Sequence, residues 1–252
     1  MKLLTAARDL KRRRARERQR LFVAEGVRAV EELLQSPLVV RGVLVAPQLH
    51  EAPRGAALLG RLRESGVEVQ DVVPLEFASA AETESPQGVI AIAEIPSRSF
   101  ADISPDWAGV LLVLDAVQDP GNVGTIIRTA AALGVVATVT LPGTVDLWNA
   151  KVVRSGMGAH FTHPAFSSTW SELDAFRERQ GLAIYAADAT GEPVETAGRA
   201  ERVVLVVGNE GAGVSGEARA RADRAVALPL RGGVESLNVA VATGILLYQF
   251  RR

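Results

Sequence analysis

The chain has 252 residues, of which 48% are hydrophobic and 23% charged, and its formal net charge is -1 at pH 7. This composition excludes an intrinsically disordered chain, and the short apolar runs and missing apolar N-terminal segment predict neither a transmembrane helix nor a secretory signal. The absence of cysteine excludes disulfides, thiol catalysis and thiolate metal sites, so we expect a cytoplasmic protein.

The chain begins with a strongly cationic segment. Residues 1–20 hold nine basic and two acidic side chains, a net charge of +7 that leaves -8 for the rest of the chain. Such a density of like charge repels itself unless a polyanion lies nearby, which favours a nucleic acid partner. A solvated helix face or a frayed tail is the alternative interpretation. The side chains of this basic block predicted to bind RNA are Arg12, Arg13, Arg14, Arg16, Arg18 and Arg20.

The rest of the first half alternates between helical and strand patterns. "LFVAEGVRAVEELLQSP" predicts a turn followed by an amphipathic helix that ends before Pro37. Strand "LVVRGVLVAP", helix "APRGAALLGRLRESG", strand "VEVQDVV", short helix "PLEFASAAET" and strand "QGVIAIAEI" follow. This pattern predicts a small α/β domain over residues 1–95. Residues 96–107, rich in proline and serine and without periodicity, are predicted to form a linker.

A second alternating series begins at Val110. It comprises strand "VLLVLDAV", a helix over residues 122–134, strand "VVATVTL", a helix near "NAKVVRSGMGAH", the segment "THPAFS", helix "SELDAFRERQG", strands "LAIYAAD" and "RVVLVVG", a short helix near residues 215–222, strand "AVALPL" and the final helix "SLNVAVATGILLYQF". Continuous Val, Leu and Ile strands between helices predict an α/β domain over residues 108–252 whose parallel sheet is covered on both faces.

Three loops that follow strands carry the candidate functional residues. They are "DAVQDPGNVGT", "VVGNEGAGVS" and "LPLRGGVESLNV". Ligands of open α/β sheets bind beyond the carboxyl ends of the strands, so these glycine-rich and asparagine-rich loops define the candidate site. Taken singly, their polar residues also have simpler interpretations. Asn122 or Ser236 could cap a helix, with Asn238 in the first turn after Ser236, and Glu210 could be a solvated loop carboxylate. Arg128 could extend from an apolar helix towards solvent.

Several other chemistries are disfavoured. The glycines of "GNEGAG" do not have the G-x-G-x-x-G spacing of a dinucleotide loop, which argues against a dehydrogenase, and no Walker lysine follows them. The three histidines, His50, His160 and His163, form no credible metal set, so no metal is predicted. No Gly-x-Ser-x-Gly nucleophile elbow is present.

Taken together, the three loops resemble the motifs of the SpoU/TrmH family of RNA 2′-O-ribose methyltransferases, a branch of the SPOUT superfamily. "DPGNVGTIIRTAAALGV" resembles the first motif, "LVVGNEGAGVS" the second and "LPLRGGVESLNVAVATGILLYQ" the third. "NAKVVRSGMGAHF" is also similar to a family segment, through Lys151, Arg154, Ser155 and Gly158. The match covers residues 108–252. The front half more loosely resembles the family's substrate-binding domain, from which we expect a short leading strand or turn to be missing.

The resemblance implies a SPOUT domain with a deep trefoil knot that binds S-adenosylmethionine, preceded by a small α/β RNA-binding domain. It also implies a homodimer in which two subunits complete the active site. The implied cofactor-binding residues are Val207, Gly208, Asn209, Leu228, Leu230, Ser236 and Leu237. The implied catalytic residues are Arg128, Asn122, Glu210, Ser236 and Asn238, and Arg128 and Arg154 join the basic block as RNA-binding residues.

The implied reaction is attack of a ribose 2′-hydroxyl on the methyl carbon of a sulfonium, in structured RNA and in ribosomal RNA rather than transfer RNA. In the family, the arginine equivalent to Arg128 is a proposed general base. Because a guanidinium stays protonated, the alternative is that Arg128 holds the target phosphate while the proton leaves through a phosphate oxygen or water. A non-catalytic RNA-binding protein, an enzyme that methylates a base and an antibiotic-resistance methyltransferase are the competing interpretations.

Overall fold

A computed structural model describes residues 2–198 and 201–250 of the chain. The described α-helices are α1 (Leu3–Asp9), α2 (Arg13–Gln19), α3 (Val27–Leu34), α4 (Pro53–Glu64), α5 (Pro74–Ala80), α6 (Pro120–Ala132), α7 (Ala150–Ser155), α8 (Ala159–Thr162), α9 (Trp170–Gln180), α10 (Gly216–Arg221) and α11 (Val239–Phe250). The described strands are β1 (Leu21–Glu25), β2 (Val40–Val45), β3 (Val69–Asp71), β4 (Val89–Glu94), β5 (Gly109–Leu114), β6 (Ala137–Thr140), β7 (Ala165–Ser167), β8 (Ala183–Pro193), β9 (Arg202–Val207) and β10 (Arg224–Ala227). None of these helices is long and apolar enough to cross a membrane.

The chain divides into two compact units. The first unit comprises Met1–Ser97 with Trp148–Thr162, and the second comprises Arg98–Leu147 with His163–Arg252. The segment that carries α7 and α8 belongs to the first unit, although it lies within the second unit's range of the sequence. The predicted domain boundaries at residues 95 and 108 remain a prediction.

The first unit is built on a mixed sheet with strand order β1-β4-β2-β3. Strand β4 pairs antiparallel with both neighbours, and β2 pairs parallel with β3. The prediction of a turn at "LFVAE" is wrong, because these residues form strand β1. All five residues are buried. A strand buried on both faces does not show the alternation of polar and apolar residues by which a half-exposed strand is predicted.

Aromatic packing holds the segment Trp148–Thr162 against strand β1. The ring of Phe22 lies 4.4 Å from that of Trp148 and 5.9 Å from that of Phe161, between centroids. Gly158 has φ +88°, and a Cβ there would lie 2.7 Å from Cγ of Glu32 on α3. This close approach requires glycine, both for the backbone conformation and for the space.

The second unit is built on a six-stranded sheet in which every pair is parallel, in the order β10-β8-β9-β5-β6-β7. The prediction of a parallel α/β sheet is therefore confirmed. The central strands β5 and β9 are almost entirely buried, as their unbroken Val and Leu runs predict. Parallel strands place their carboxyl ends at one edge, so the loops after Leu114, Val207 and Ala227 all leave from that edge.

Candidate active site

A cavity of about 360 Å³ lies in the second unit at the carboxyl edge of the parallel sheet. Its wall contains all seven residues predicted to bind the cofactor, Val207, Gly208, Asn209, Leu228, Leu230, Ser236 and Leu237. The cavity is also lined by residues that sequence reasoning did not single out, including Ala187, Asp188, Ala189, Arg219, Glu235, Thr243 and Leu246. The motifs thus located the cavity, and tertiary structure added its far wall.

The loop after β9 is held tightly by its own backbone. Asn209 and Gly213 exchange two backbone hydrogen bonds of 2.9 Å, and Oδ1 of Asn209 accepts the amides of Gly211 and Ala212 at 3.0 Å. A Cβ on Gly208 would lie 2.2 Å from the backbone of Gly213, so only glycine fits. The Nδ2 of Asn209 donates to the carbonyl of Ala116 at 2.9 Å, which ties this loop to the loop after β5.

The carboxylate of Glu210 joins the same two loops. It accepts the amides of Gln118 and Asp119 at 3.2 and 2.9 Å and Nδ2 of Asn122 at 3.1 Å. Partial burial raises the pKa of Glu210, but these hydrogen bonds to the charged form outweigh it and leave the pKa below its ordinary value. Glu210 is thus an exposed loop carboxylate with fixed hydrogen-bond partners, and it stays charged at neutral pH.

Asn238 brings the third loop into the same network. Its Nδ2 donates to Oδ1 of Asn122 at 3.0 Å, while its Oδ1 accepts the amides of Ala240 and Val241 at the start of α11. Asn122 therefore donates to one loop and accepts from another, and the three motifs meet at its side chain. We call the hydrogen-bonded group of Glu210, Asn122 and Asn238 the loop clamp.

The simpler helix-capping interpretations do not hold. Asp119 caps α6, because its side chain accepts the amide of Asn122, and Pro120 occupies the first helical position. Asn238, rather than Ser236, caps α11. The predicted helix over residues 122–134 begins two residues earlier, at Pro120, and ends at Ala132.

The wall of the cavity contains an ion pair that the sequence analysis did not predict. Nε of Arg219 donates to Oδ2 of Asp188 at 2.7 Å, and Thr190 donates to the other carboxylate oxygen through both its amide and its hydroxyl. The amide of Thr190, and then Arg219, hold the pKa of Asp188 below its ordinary value. The sequence feature that could have indicated Asp188 as a site residue is its position at the end of the predicted parallel strand "LAIYAAD".

Arg128 is not brought into this cavity. It lies exposed on α6, and within the part of the chain that the structure describes it has no hydrogen bond or ion pair. Near it in sequence, Thr125 and Thr129 line a shallow, largely apolar groove with residues of α11. Three of those residues are large and exposed, namely Val241 (52%), Ile245 (40%) and Tyr248 (53%). The role of Arg128 in the reaction remains a prediction.

The basic block forms helices α1 and α2, and most of its arginines are exposed. Arg16 is the exception, because its side chain is buried and donates to the carbonyls of Leu10 and Lys11 at 2.7 and 2.9 Å. The prediction that Arg16 contacts RNA is therefore wrong, since its guanidinium satisfies backbone groups after α1. Arg13 pairs with Glu17 on the same helix, and Arg20 donates weakly to the carbonyl of Pro96.

The cavity suits an adenosyl cofactor that carries a sulfonium. Leu228, Leu230 and Leu237 provide apolar surface for a base, and the polar residues of the loops after β9 and β10 line the cavity beside it. Once the Asp188–Arg219 pair is counted as neutral, the carboxylates of Glu210 and Glu235 remain in the wall. Their charge complements a cationic ligand. Fold and site together define an α/β enzyme that binds such a cofactor at the carboxyl edge of a parallel sheet.

Comparison with known proteins gives the family. The SpoU rRNA Methylase family matches residues 109–248, and an MRM3-like substrate binding domain matches residues 4–91. The chain therefore belongs to the SpoU rRNA methylase family. It is 36% identical over 240 residues to the 23S rRNA (guanosine(2553)-2′-O)-methyltransferase RlmP of Bacillus subtilis (strain 168), across 95% of this chain and 92% of that protein.

Two further relatives agree with this assignment. The chain is 29% identical over 254 residues to the 23S rRNA (uridine(2479)-2′-O)-methyltransferase of Streptomyces viridochromogenes, across 94% of this chain and 84% of that protein. The crystal structure of the SpoU methyltransferase AviRb from the same organism, in complex with the cofactor AdoMet, superposes with a TM-score of 0.87. Its sequence identity is 26%, and the match covers 99% of this chain and 96% of that one.

These matches establish the activity class. The chain is an S-adenosylmethionine-dependent RNA 2′-O-ribose methyltransferase with an N-terminal substrate-binding domain. The predicted family, reaction and cofactor are confirmed, and the dehydrogenase and non-catalytic RNA-binding interpretations are wrong.

Proposed function

We propose that this enzyme methylates the 2′-hydroxyl of one ribose in 23S ribosomal RNA and works as a homodimer. The relatives named above act on 23S rRNA, and the match to RlmP covers nearly the whole chain, which is the observation that carries the proposal. One of those relatives modifies a guanosine and the other a uridine, so ribose rather than base chemistry is the shared feature. We infer that the C-terminal part of the second unit forms the trefoil knot that the motifs imply.

The residues that line the cavity would hold S-adenosylmethionine. The apolar side chains of Leu228, Leu230 and Leu237 would enclose the adenine, and Val207, Gly208, Asn209 and Ser236, which line the same cavity, would contact its polar edges. When bound, the cofactor supplies a methyl group on a sulfonium, which needs no further electrophilic activation. The protein's task is therefore to position the ribose hydroxyl in line and to let its proton leave.

The loop clamp would fix the geometry of that approach. Glu210, Asn122 and Asn238 connect three loops through hydrogen bonds of 3.0–3.1 Å, so a shift in one loop is resisted by the other two. A misplacement of about 1 Å costs about 100-fold in rate, which gives such a clamp its value. Arg128 would bind the phosphate next to the target ribose, because its guanidinium stays protonated and binds phosphate oxygens well.

The groove between α6 and α11 supports dimerisation. Val241, Ile245 and Tyr248 form an exposed apolar strip there, and such strips mark protein contacts. Because Arg128 lies on α6 beside this groove, we propose that it serves the active site of the partner subunit. Val241→Glu combined with Ile245→Glu should then give monomers by light scattering and abolish methyl transfer. The matched control is Leu75→Glu, at a position that is 84% exposed in the first unit.

The deciding experiment measures methyl transfer from labelled S-adenosylmethionine to unmodified 23S rRNA, 16S rRNA and transfer RNA. Label at a 2′-oxygen in 23S rRNA alone would support the proposal. Arg128→Ala should abolish transfer while leaving cofactor binding intact. Arg179→Ala, another exposed helical arginine of the same unit without a partner among the described residues, should not. Transfer to transfer RNA instead would overturn the proposed substrate.

The role of Arg128 across subunits has a separate test. Arg128→Ala and Gly208→Ala proteins, each inactive alone, are mixed under conditions that exchange subunits. A shared active site predicts recovery of activity, because one site of the mixed dimer then has both an intact cavity and an intact arginine. No recovery, with exchange shown by light scattering of tagged subunits, would place Arg128 in the active site of its own subunit.

A further inference from the structure

A second cavity, of about 300 Å³, lies entirely within the first compact unit and shares no lining residue with the cofactor cavity. Two arginines line it, Arg28 from α3 and Arg154 from α7. Neither has a hydrogen bond or ion pair among residues 2–198 and 201–250. We call this the Arg28–Arg154 cavity.

The acidic group in the same wall is already engaged. The carboxylate of Glu25 is buried, and it accepts the amides of Glu82 and Thr83 at 2.7 and 3.3 Å and also the Thr83 hydroxyl. Its charge is therefore spread over fixed donors and is not paired with either arginine. The cavity therefore holds two unpaired arginines against one carboxylate, a net positive lining that favours an anionic ligand.

The wall is built in advance of any ligand. Oε1 of Gln87 accepts the amide of Val27 at 2.9 Å, which fixes the amide and leaves its NH₂ group available as a donor. Gly26 has φ +100°, and a Cβ there would lie 3.1 Å from that same Oε1. A side chain at residue 26 would thus strain the backbone and press on Gln87, so glycine keeps this part of the cavity open.

The donors and the volume fit one nucleotide of single-stranded RNA. Guanidinium groups bind phosphate oxygens in pairs and also stack on bases. The Ser85 hydroxyl and the NH₂ group of Gln87 can read a base edge, and Met157 adds apolar surface. A volume of about 300 Å³ is too small for a duplex but matches a small-molecule site. RNA recognition by proteins usually selects such unstacked loop nucleotides.

We propose that the Arg28–Arg154 cavity binds one unstacked nucleotide of the RNA substrate, at a position other than the methylated ribose. This rests on the proposed function, and it adds a recognition site to the exposed arginines of the basic block. The phosphate would lie on Arg28 and Arg154, and the base edge on Ser85 and Gln87.

The test uses the full chain and a 23S rRNA fragment that the wild type methylates. Arg28→Gln and Arg154→Gln should each raise KM for RNA about tenfold while kcat and the Kd for S-adenosylmethionine stay within twofold. Each should also reduce the slope of log K against log salt by about 0.7, as expected for one lost phosphate contact. Arg63→Gln, at an exposed arginine of α4 that does not line the cavity, should change none of these values.

Further arms separate the outcomes. Ser85→Ala removes a hydroxyl from the cavity wall without changing the charge. It should weaken the binding of RNA fragments with some loop sequences more than that of others. Weak competition by nucleoside 5′-monophosphates against the RNA fragment would support a nucleotide site. RNA affinities of all cavity variants equal to that of Arg63→Gln would overturn the inference. If the wild type binds the fragment but methylates no RNA, the proposed function fails. The RNA affinities of the cavity variants relative to Arg63→Gln then still test whether the Arg28–Arg154 cavity binds a nucleotide.

Discussion

The contact between Asn122 and Glu210 makes a sharp prediction for Asn122→Asp. The substitution keeps the size of the side chain but replaces the amide donor, 3.1 Å from Oε1 of Glu210, with a second carboxylate oxygen. A hydrogen bond becomes a repulsion between like charges at the point where three loops meet. We expect the loops to separate and methyl transfer to fall.

The size of the effect follows from that distance. Two unit charges 3.1 Å apart repel by about 1 kcal/mol in water and about 5 kcal/mol at an effective dielectric constant near 20. The lost hydrogen bond to a charged group adds about 1.5 kcal/mol. Because Glu210 is largely exposed, the lower part of this range applies, roughly 2–4 kcal/mol. If this entire free energy is added to the activation barrier of methyl transfer, kcat/KM falls by about 30-fold to about 1,000-fold.

The pH profile separates this mechanism from simple disruption. In the wild type, hydrogen bonds keep the pKa of Glu210 below its ordinary value. The stabilisation it provides is therefore complete above the unfolded pKa, near 4.5, and is lost only as pH falls through the lower folded pKa. In Asn122→Asp, the facing carboxylates raise the pKa of one of the pair, and its proton restores a donor.

The assay is therefore kcat/KM for methyl transfer by Asn122→Asp relative to wild type between pH 8 and pH 5. The ratio should rise as pH falls. Asn122→Ala, which has no group to protonate, should show a loss that does not depend on pH. A flat ratio for Asn122→Asp, or full activity at pH 8, would refute the electrostatic account of the loop clamp.

Three further changes test other parts of the structure. Gly208→Ala places a Cβ 2.2 Å from the backbone of Gly213 and should abolish cofactor binding in calorimetry. Arg16→Ala should lower Tm by several degrees, since it removes the donor to two backbone carbonyls, whereas the exposed Arg14→Ala should weaken RNA binding at unchanged Tm. Burial, aided by the nearby Arg98 guanidinium, lowers the pKa of His163 to about 4. The unfolded state therefore binds more protons between about pH 6.5 and 4, so stability falls by roughly 3 kcal/mol as pH drops through this window. His163→Gln should remove that part of the acid sensitivity in denaturant titrations.

The position of the candidate cofactor cavity could be predicted because a parallel sheet brings the motif loops to one edge. Each of the three motif loops follows an apolar run that predicts a strand, and parallel strands bring their carboxyl ends to one edge. The far wall could not be predicted in this way. Asp188 lies within β8 and gains its partner Arg219 from α10, 31 positions along the chain, and no local pattern links the two.

Helix capping shows how a local rule can be applied at the wrong residue. In "DPGN", both Asp119 and Asn122 are good N-cap residues, but Pro120 is favoured at the first helical position and so selects Asp119. That choice releases the side chain of Asn122 for Glu210 and Asn238, which lie 88 and 116 positions away in sequence. Pro120 therefore indicates from the sequence alone that Asp119, and not Asn122, caps the helix. The sequence does not indicate which residues bind the side chain of Asn122.

Charged residues resist prediction because their surroundings decide their role. Arg14 and Arg16 are two positions apart on one short helix, yet one is exposed and the other is buried against backbone carbonyls. The same reasoning applies to Arg128, which has the composition of a site residue but lies on an exposed helix face beside an apolar groove. A side chain in that position acquires its surroundings from whatever covers the groove. If that is a second copy of this chain, cofactor site and arginine come from different subunits, and dimerisation becomes a condition of catalysis.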